Sequence, residues 1–209
     1  MPTERYDFIM AGGGAAGLSL AYNLAHSPLS DRRMLIVDLD EKQTNDRTWC
    51  FWTAEAPPYP EIIHRRWDAF DFYGEGFQSR LDLSPYAYYM IRGIDFYRHT
   101  RSVLEKVPNV DFLTARIDGV RDGADYAEVL VGDDVYRADW VFDSLFLPGE
   151  FRPDFASYHY IWQHFKGYVI RTDKPVFDPE AVTFFDFRVP QYGVMRFMYI
   201  LPTSSTEAL

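Results

Sequence analysis

The sequence of 209 residues contains a single cysteine, Cys50. One cysteine excludes a disulfide within the chain, and the first residues lack the charged, apolar and small-residue order of a secretory signal. Both observations predict a cytoplasmic protein. No run reaches the roughly eighteen apolar residues that span a bilayer. We therefore expect no membrane-spanning helix, while peripheral attachment to the cytoplasmic membrane stays open.

Basic residues and metal-ligand patterns are also scarce. Lys and Arg number 21 against 31 Asp and Glu, which gives a formal net charge of −10. Contacts to nucleic-acid phosphates need a clustered basic face, and no such run is present, so a nucleic-acid partner is excluded. The five histidines, at positions 26, 64, 99, 159 and 164, show no zinc-ligand spacing. We expect no metal site.

What the sequence does contain is a glycine-rich turn near its start. An apolar strand from Tyr6 runs into Gly12, Gly14 and Gly17, which fit the G-x-G-x-x-G template, and a helix-forming run follows. The template needs glycine for a tight turn, for close approach of a pyrophosphate, and for close packing of helix on strand. The phosphates would lie at the helix N-terminus. The predicted cofactor-binding residues are Gly12, Gly13, Gly14, Ala15, Ala16 and Gly17.

A second apolar run supports this interpretation of the glycines. Met34 to Val37 precedes Asp38, about twenty residues after the last glycine of the template. At that distance a second parallel strand delivers a carboxylate to the ribose hydroxyls of a dinucleotide. We therefore add Asp38 to the predicted cofactor-binding residues.

The order of the remaining elements predicts a flavoprotein. Predicted strands are Trp67–Tyr73, Phe77–Leu83, Tyr86–Ile91, Val110–Thr114, Ala127–Val131, Val135–Arg137 and Asp139–Ser144, and Phe96–Val107 is a predicted helix. The aromatic stretch Asn45–Trp52 is predicted as a loop, in which the rings either contact a ligand or pin the loop to the sheet. The elements follow in the order β-α-β unit, inserted hairpin, helix, strand, meander and return strand. This order is typical of two-dinucleotide-type flavoproteins.

The residue composition of the sequence changes after Pro148. Three aromatic and β-branched segments follow, Phe165–Arg171, Val182–Arg188 and Val194–Leu201, which are typical of an antiparallel sheet. The predicted fold is thus α/β, with a Rossmann-type FAD-binding domain of the glutathione-reductase or hydroxylase kind over residues 1–147. Residues 62–92 form inserted strands within it, and residues 148–209 form part of a substrate-binding antiparallel sheet. Because neither sheet has a closing element, we expect a C-terminally truncated chain.

Several blocks make the sequence resemble the bacterial lycopene β-cyclases of carotenoid biosynthesis. Beyond the glycine motif, which many flavoproteins share, the resemblance rests on Asn45–Trp52, Asp139–Ser144, Trp162–Gly167, Phe184–Gln191 and Arg196–Pro202. It runs over essentially the whole chain. Membership would imply an isomerase, or intramolecular lyase, that uses reduced FAD with NAD(P)H as electron source. Lycopene would be converted to β-carotene through acid-initiated carbocation cyclisation, with no net redox change.

The resemblance also bears on the catalytic residues. It places the catalytic glutamate of the family just beyond Leu209. Within the chain, the predicted catalytic residues are Asp186, which is flanked by phenylalanines, and Arg188. Apolar neighbours raise the pKa of a carboxyl group, whereas a paired guanidinium lowers it. The alternative is a structural ion pair on one strand face.

Two other functions remain open at this stage. An FAD-dependent isoprenoid monooxygenase or reductase would share the same nucleotide-binding half. A non-catalytic nucleotide-binding module would follow from the expected truncation.

Overall fold

The computed structural model describes residues 5–145 and 151–209. These residues divide into two compact units. Unit 1 comprises the described residues of Met1–Arg47 and Gly93–Asp154, and unit 2 comprises Thr48–Arg92 and Phe155–Leu209. In the described part of the chain, no helix is long and apolar enough to cross a membrane.

Unit 1 contains two helices and one six-stranded sheet. Its elements are β1 (Arg5–Ala11), α1 (Ala15–Ala25), β2 (Met34–Asp38), α2 (Gly93–Leu104), β8 (Val110–Thr114), β9 (Gly119–Asp122), β10 (Ala127–Val131) and β11 (Asp134–Asp143). The strand order is β8-β2-β1-β11-β10-β9. The first four strands are parallel, and the hairpin of β9 and β10 joins them in antiparallel pairing.

Apolar residues place β1 and β2 at the centre of unit 1. Ile9 and Val37 are fully buried in a cluster on one face of the sheet, whereas Met10 and Ile36 are buried with them but alternate to the other face. Strands that are buried on both faces of a sheet have continuous apolar sequences, as these two strands do. Helix α1 buries Leu18 and Ala21. The β-α-β start therefore forms as the sequence predicts.

Unit 2 is built mainly from strands. Its elements are β3 (Thr48–Thr53), β4 (Arg65–Trp67), β5 (Ala69–Gly74), β6 (Phe77–Asp82), β7 (Ala87–Arg92), β12 (Ile170–Arg171), β13 (Ala181–Asp186), β14 (Met198–Ile200) and β15 (Glu207–Ala208), with a 3₁₀ turn at Pro60–Ile62. Three sheets have the orders β14-β13-β5-β6, β3-β7-β4 and β12-β15. A core of Trp67, Leu83, Tyr88, Met90, Val182 and Leu201 joins residues from both chain segments.

The inserted strands pair with the C-terminal strands. Strand β5 lies next to β13 in parallel, and the hairpin predicted at residues 74–76 joins β5 to β6. The four-stranded sheet is thus antiparallel at its two ends and parallel in its middle. The division by contacts groups residues 48–92 with residues 155–209, whereas the sequence assigns residues 62–92 to the first domain.

Three elements differ from the sequence prediction. The predicted loop at residues 45–52 contains β3, because its aromatic residues pair with β7 along six positions. The two strands predicted at 135–137 and 139–144 form the single strand β11, in which Trp140 is 66% exposed. The strand predicted from Phe165 is reduced to the two residues of β12, because the side chains of residues 165–169 are exposed and no neighbouring strand pairs with them in the described chain.

Candidate functional site

Glycine is required at two positions of the turn between β1 and α1. Gly12 has a φ of +121°, and a Cβ atom there would lie 2.1 Å from the Ser144 hydroxyl oxygen. A Cβ atom on Gly17 would lie 2.0 Å from the Gly12 carbonyl oxygen. Both distances are far below van der Waals contact, so these two glycines let the turn close tightly and let α1 pack against it.

Gly14 differs from these two glycines because its surroundings are open. It is the N-cap residue of α1, with φ −82° and ψ −166°, and no atom lies within 4 Å of an added Cβ. Ala15 and Ala16 form the first turn of the helix, where side chains are small and no acidic residue is present. The backbone N–H groups at this end carry the positive end of the helix dipole, which favours an anion.

Asp38 lies beside the glycine turn, as the sequence predicts for a ribose-binding carboxylate. The Gly13 N–H donates to Asp38 Oδ2 at 2.7 Å, and the Asp40 N–H donates to Oδ1 at 2.8 Å. The Lys42 ammonium lies 3.2 Å from Oδ1. An ionised carboxylate accepts about four hydrogen bonds, so three partners leave room for a ribose hydroxyl.

The Lys42 side chain lines two cavities of unit 1. The smaller, of about 10 Å³, is lined by Gly13, Asp38, Arg101 and Phe112 as well as Lys42. The larger, of about 470 Å³, is lined by residues 41–43 together with residues of α2 and Glu105. The small cavity is about the size of one water molecule.

Ser144, which follows β11, lies beside the glycine turn and is not among the predicted site residues. Its hydroxyl and its backbone N–H both donate to the Ala11 carbonyl, each at 3.0 Å. These two bonds hold the end of β11 against the end of β1, directly beside Gly12. The block Asp139–Ser144 marks this segment in the sequence, but only the strand order shows that it meets the glycine turn.

Asp186 and Arg188 form a closely fitted ion pair in unit 2. Arg188 Nε and Nη2 donate to the two oxygens of Asp186 at 2.8 and 2.7 Å, and the Arg188 backbone N–H donates at 3.0 Å. The guanidinium also lies 4.0 Å from the centre of the Tyr73 ring. Hydrogen bonds from Arg188 lower the pKa of Asp186 below its usual value, although burial opposes this. Of the two opposing effects that the sequence leaves open for this pKa, the paired guanidinium therefore outweighs the apolar neighbours.

The pKa of Asp186 leads to a prediction for acid stability. Because the folded pKa lies below the unfolded value of about 3.9, the pair stabilises the fold above that pH and stops doing so as pH falls through the folded value. We expect Asp186→Asn to lower the thermal midpoint at pH 7, and to lower it much less at an acid pH below the folded pKa of Asp186. Thermal unfolding followed by circular dichroism at both pH values measures this.

The control for this prediction is Asp173→Asn, which changes an exposed aspartate of the same unit. It should leave the thermal midpoint unchanged at both pH values. A loss of stability in Asp186→Asn that is equally large at both pH values would contradict the prediction.

The structure also brings together three polar groups that the predicted site residues do not include. The hydroxyls of Tyr88 and Tyr199 hydrogen-bond with each other, and Cys50 packs against the same core. Burial raises the pKa of all three groups, so each stays protonated at neutral pH. The rings of Trp52 and Phe184 lie 4.3 and 5.5 Å from that of Tyr88. Cys50 and Tyr199 belong to blocks that carry the family resemblance, but they lie far apart in sequence.

Solved structures with the same fold are flavoproteins and their relatives. A geranylgeranyl bacteriochlorophyll reductase-like protein from Thermoplasma acidophilum matches 99% of the chain with 16% identity and a TM-score of 0.64. PqsL, a probable FAD-dependent monooxygenase from Pseudomonas aeruginosa, matches 98% with 14% identity and a TM-score of 0.59. The chain spans 55% and 59% of these two proteins. At such identities the likeness shows the fold, and the predicted α/β, Rossmann-type FAD-binding fold is confirmed.

The particular family follows from the sequence as a whole. A family model described as lycopene cyclase protein matches residues 7–209. The chain belongs to the lycopene cyclase family, which confirms the resemblance seen in the sequence blocks. A comparison with curated proteins found no match.

Proposed function

We propose that this protein is an FAD-dependent lycopene β-cyclase, which converts lycopene to β-carotene. The observation that carries the proposal is the family match over residues 7–209, on a chain with the FAD-binding type of Rossmann fold. The proposal includes NAD(P)H as the electron source and contact with the membrane surface, where a water-insoluble polyene resides. Reaction class, substrate and electron source all belong to this proposal.

The glycine turn fits the adenosine and pyrophosphate half of FAD. Gly12 and Gly17 close the turn, Gly14 leaves open space at the N-terminus of α1, and the carboxylate of Asp38 has a lone pair to offer. When bound and reduced, the flavin would supply electron density that favours a cationic intermediate. The backbone N–H groups of Gly14 to Ala16 would bind the pyrophosphate, and Asp38 would orient the ribose.

Unit 2 offers features suited to a carbocation. The Phe185 ring stacks on that of Phe184 with ring centres 4.3 Å apart, and the Phe197 ring lies 4.1 Å from it at a tilt of 45°. Aromatic faces attract positive charge and exclude water. Asp186, at the edge of this group, is held ionised by Arg188. We propose that Asp186 stabilises positive charge and does not donate the initiating proton. That acid would be another residue.

The reaction itself is tested with the purified protein, FAD, excess NADPH and lycopene under anaerobic conditions. We expect a cyclic product with the mass of lycopene, and none without NADPH. The second candidate function is an isoprenoid monooxygenase or reductase, since the two structural neighbours are described as a reductase-like protein and a probable FAD-dependent monooxygenase. Uptake of two hydrogens, or of an oxygen atom when air is admitted, would replace the cyclase proposal with that function. A protein that gains no flavin absorbance when FAD is added would contradict both functions.

Asp38 provides a test of the nucleotide site alone. We expect Asp38→Asn to weaken FAD binding by about ten- to a hundredfold, because a charge-assisted hydrogen bond contributes roughly 1.5–3 kcal/mol. Titration of the apoprotein with FAD, followed by flavin fluorescence, measures the change. Asp31→Asn removes the same charge from an exposed side chain of unit 1 and should leave the affinity unchanged. An equal affinity of Asp38→Asn and the parent protein would refute this assignment.

A further inference from the structure

A polar cavity of about 440 Å³ lies in unit 2, beside the two-stranded sheet of β12 and β15. Three basic side chains line it, those of His64, Arg65 and Arg171, together with four hydroxyl side chains and the carboxylate of Glu207. None of these residues belongs to the glycine turn or to the aromatic group around Asp186. The cavity therefore lies outside the sites described above.

Arg65 is a half-buried cation without a carboxylate partner. Its Nη2 donates to the Pro179 carbonyl at 2.7 Å. Its Nε is buried and has no hydrogen-bond partner within residues 5–145 and 151–209, and Arg65 forms no ion pair with any of them. An arginine that is partly removed from water without a counterion lowers stability, and an anion nearby offsets that cost.

The remaining charges of the cavity leave an excess of positive charge. Arg171 forms an ion pair with Glu207, which also accepts a hydrogen bond from the Thr203 hydroxyl at 3.1 Å. These bonds, that of Arg171 foremost, lower the pKa of Glu207, so it stays ionised and neutralises one arginine. Arg65 is left over, and His64 adds charge when it is protonated. Guanidinium groups with hydroxyl donors around them match the oxygens of a phosphate group.

We propose that this cavity binds a phosphate group. The proposal is independent of the flavin site and of cyclase activity. Two sources share this chemistry: a free phosphate compound, and the headgroup of an anionic phospholipid. Arg65 and Arg171 would bind the phosphate oxygens, and the hydroxyl side chains would donate further hydrogen bonds.

The site is tested by calorimetric titration of the protein with inorganic phosphate. We expect saturable binding of one phosphate per chain, weakened at least about fivefold in Arg65→Gln and in Arg171→Gln, because each loses a charge-assisted hydrogen bond. Arg66→Gln is the matched control. It removes the same charge from the next residue of β4, whose side chain points to the other face and pairs with Asp68 at 2.6 Å. It should bind phosphate like the parent protein.

Vesicles distinguish the two sources of phosphate. Vesicles of phosphatidylcholine are compared with vesicles that also contain phosphatidic acid, using the same three variants. Binding to the acidic vesicles that is lost in Arg65→Gln and Arg171→Gln identifies a headgroup as the source. Phosphate binding with the same dependence on these arginines, but without vesicle binding, identifies a free compound.

Two outcomes would overturn the proposal. One is the absence of saturable binding of either probe to the parent protein. The other is a loss of binding that is equally large in Arg66→Gln, since this would show a general effect of net charge. Circular dichroism of each variant confirms folding, and the Arg171 side chain, which is 82% exposed, can be replaced without disturbing the core.

Discussion

Gly17→Ala is expected to destabilise unit 1 by up to about 2 kcal/mol and to remove measurable FAD binding. The added methyl would lie 2.0 Å from the Gly12 carbonyl oxygen, a backbone atom that cannot rotate away. Either α1 or the turn must shift, and overpacking of this kind typically costs about 1–3 kcal/mol. The higher helix propensity of alanine, worth about 1 kcal/mol, offsets only part of this cost. Urea denaturation and flavin fluorescence measure the two effects.

Gly14→Ala is the matched variant, since it adds the same methyl three residues earlier. No atom lies within 4 Å of the added Cβ, and the φ of −82° is ordinary for alanine. We expect Gly14→Ala to lower the free energy of unfolding by less than about 1 kcal/mol, because alanine is a poorer N-cap residue. FAD binding should be weakened at least tenfold, because the methyl group occupies the space of the pyrophosphate. If Gly14→Ala bound FAD normally, the phosphate position would be wrong. If Gly17→Ala were as stable as the parent protein, the tight packing of α1 would be wrong.

The second large effect is expected in the core of unit 2. Trp67 is 1% exposed and is the largest fully buried side chain of the described residues. Replacing a buried tryptophan by alanine removes apolar burial and leaves a cavity, which costs about 3–5 kcal/mol. We expect Trp67→Ala to lower the free energy of unfolding of unit 2 by that amount. Far-UV circular dichroism in urea measures it without relying on tryptophan fluorescence.

Two further variants make this test specific. Trp162→Ala removes the same side chain from a position of unit 2 that is 88% exposed, and should change stability by less than about 0.5 kcal/mol. Trp67→Phe should cost much less than Trp67→Ala. Phenylalanine retains most of the volume, and it removes an indole N–H that is buried without a hydrogen-bond partner within the described chain. Equal losses in Trp67→Ala and Trp162→Ala would mean that this core does not form.

The parts of the fold that the sequence predicts correctly are those that depend on residues close to each other in the sequence. The β-α-β start follows from two apolar runs and a glycine template, all within about 35 residues of each other. Helix α2 forms where the sequence predicts a helix, but it begins at Gly93, three residues before the predicted start at Phe96. The Gly93 N–H donates to the Arg47 carbonyl at 2.7 Å, and this bond between distant residues has no signal in the local sequence.

The errors arise where distant segments decide the structure. Asn45–Trp52 has polar residues before its rings and therefore resembles a loop, yet β7 pairs with its second half. Residues 165–169 have strand-forming composition but no strand beside them in the described chain, and β propensity alone does not form a strand. Asp186 had two open interpretations, and the bidentate bond to Arg188 decides its ionisation. The hydrogen bond between Tyr88 and Tyr199 joins residues that are 111 positions apart, so it too has no signal in the local sequence.

The position of β1 in its sheet has a consequence for synthesis of the chain on the ribosome. β1 ends at Ala11, but its neighbour β11 begins only at Asp134. At about 5–20 residues per second, the free edge of β1 waits roughly 6–25 s for that partner. During this time a buried, apolar strand presents unpaired backbone groups that can pair with another chain. We expect newly made chains to need chaperone protection in this interval, and slower translation between the two strands to lower the yield of soluble protein.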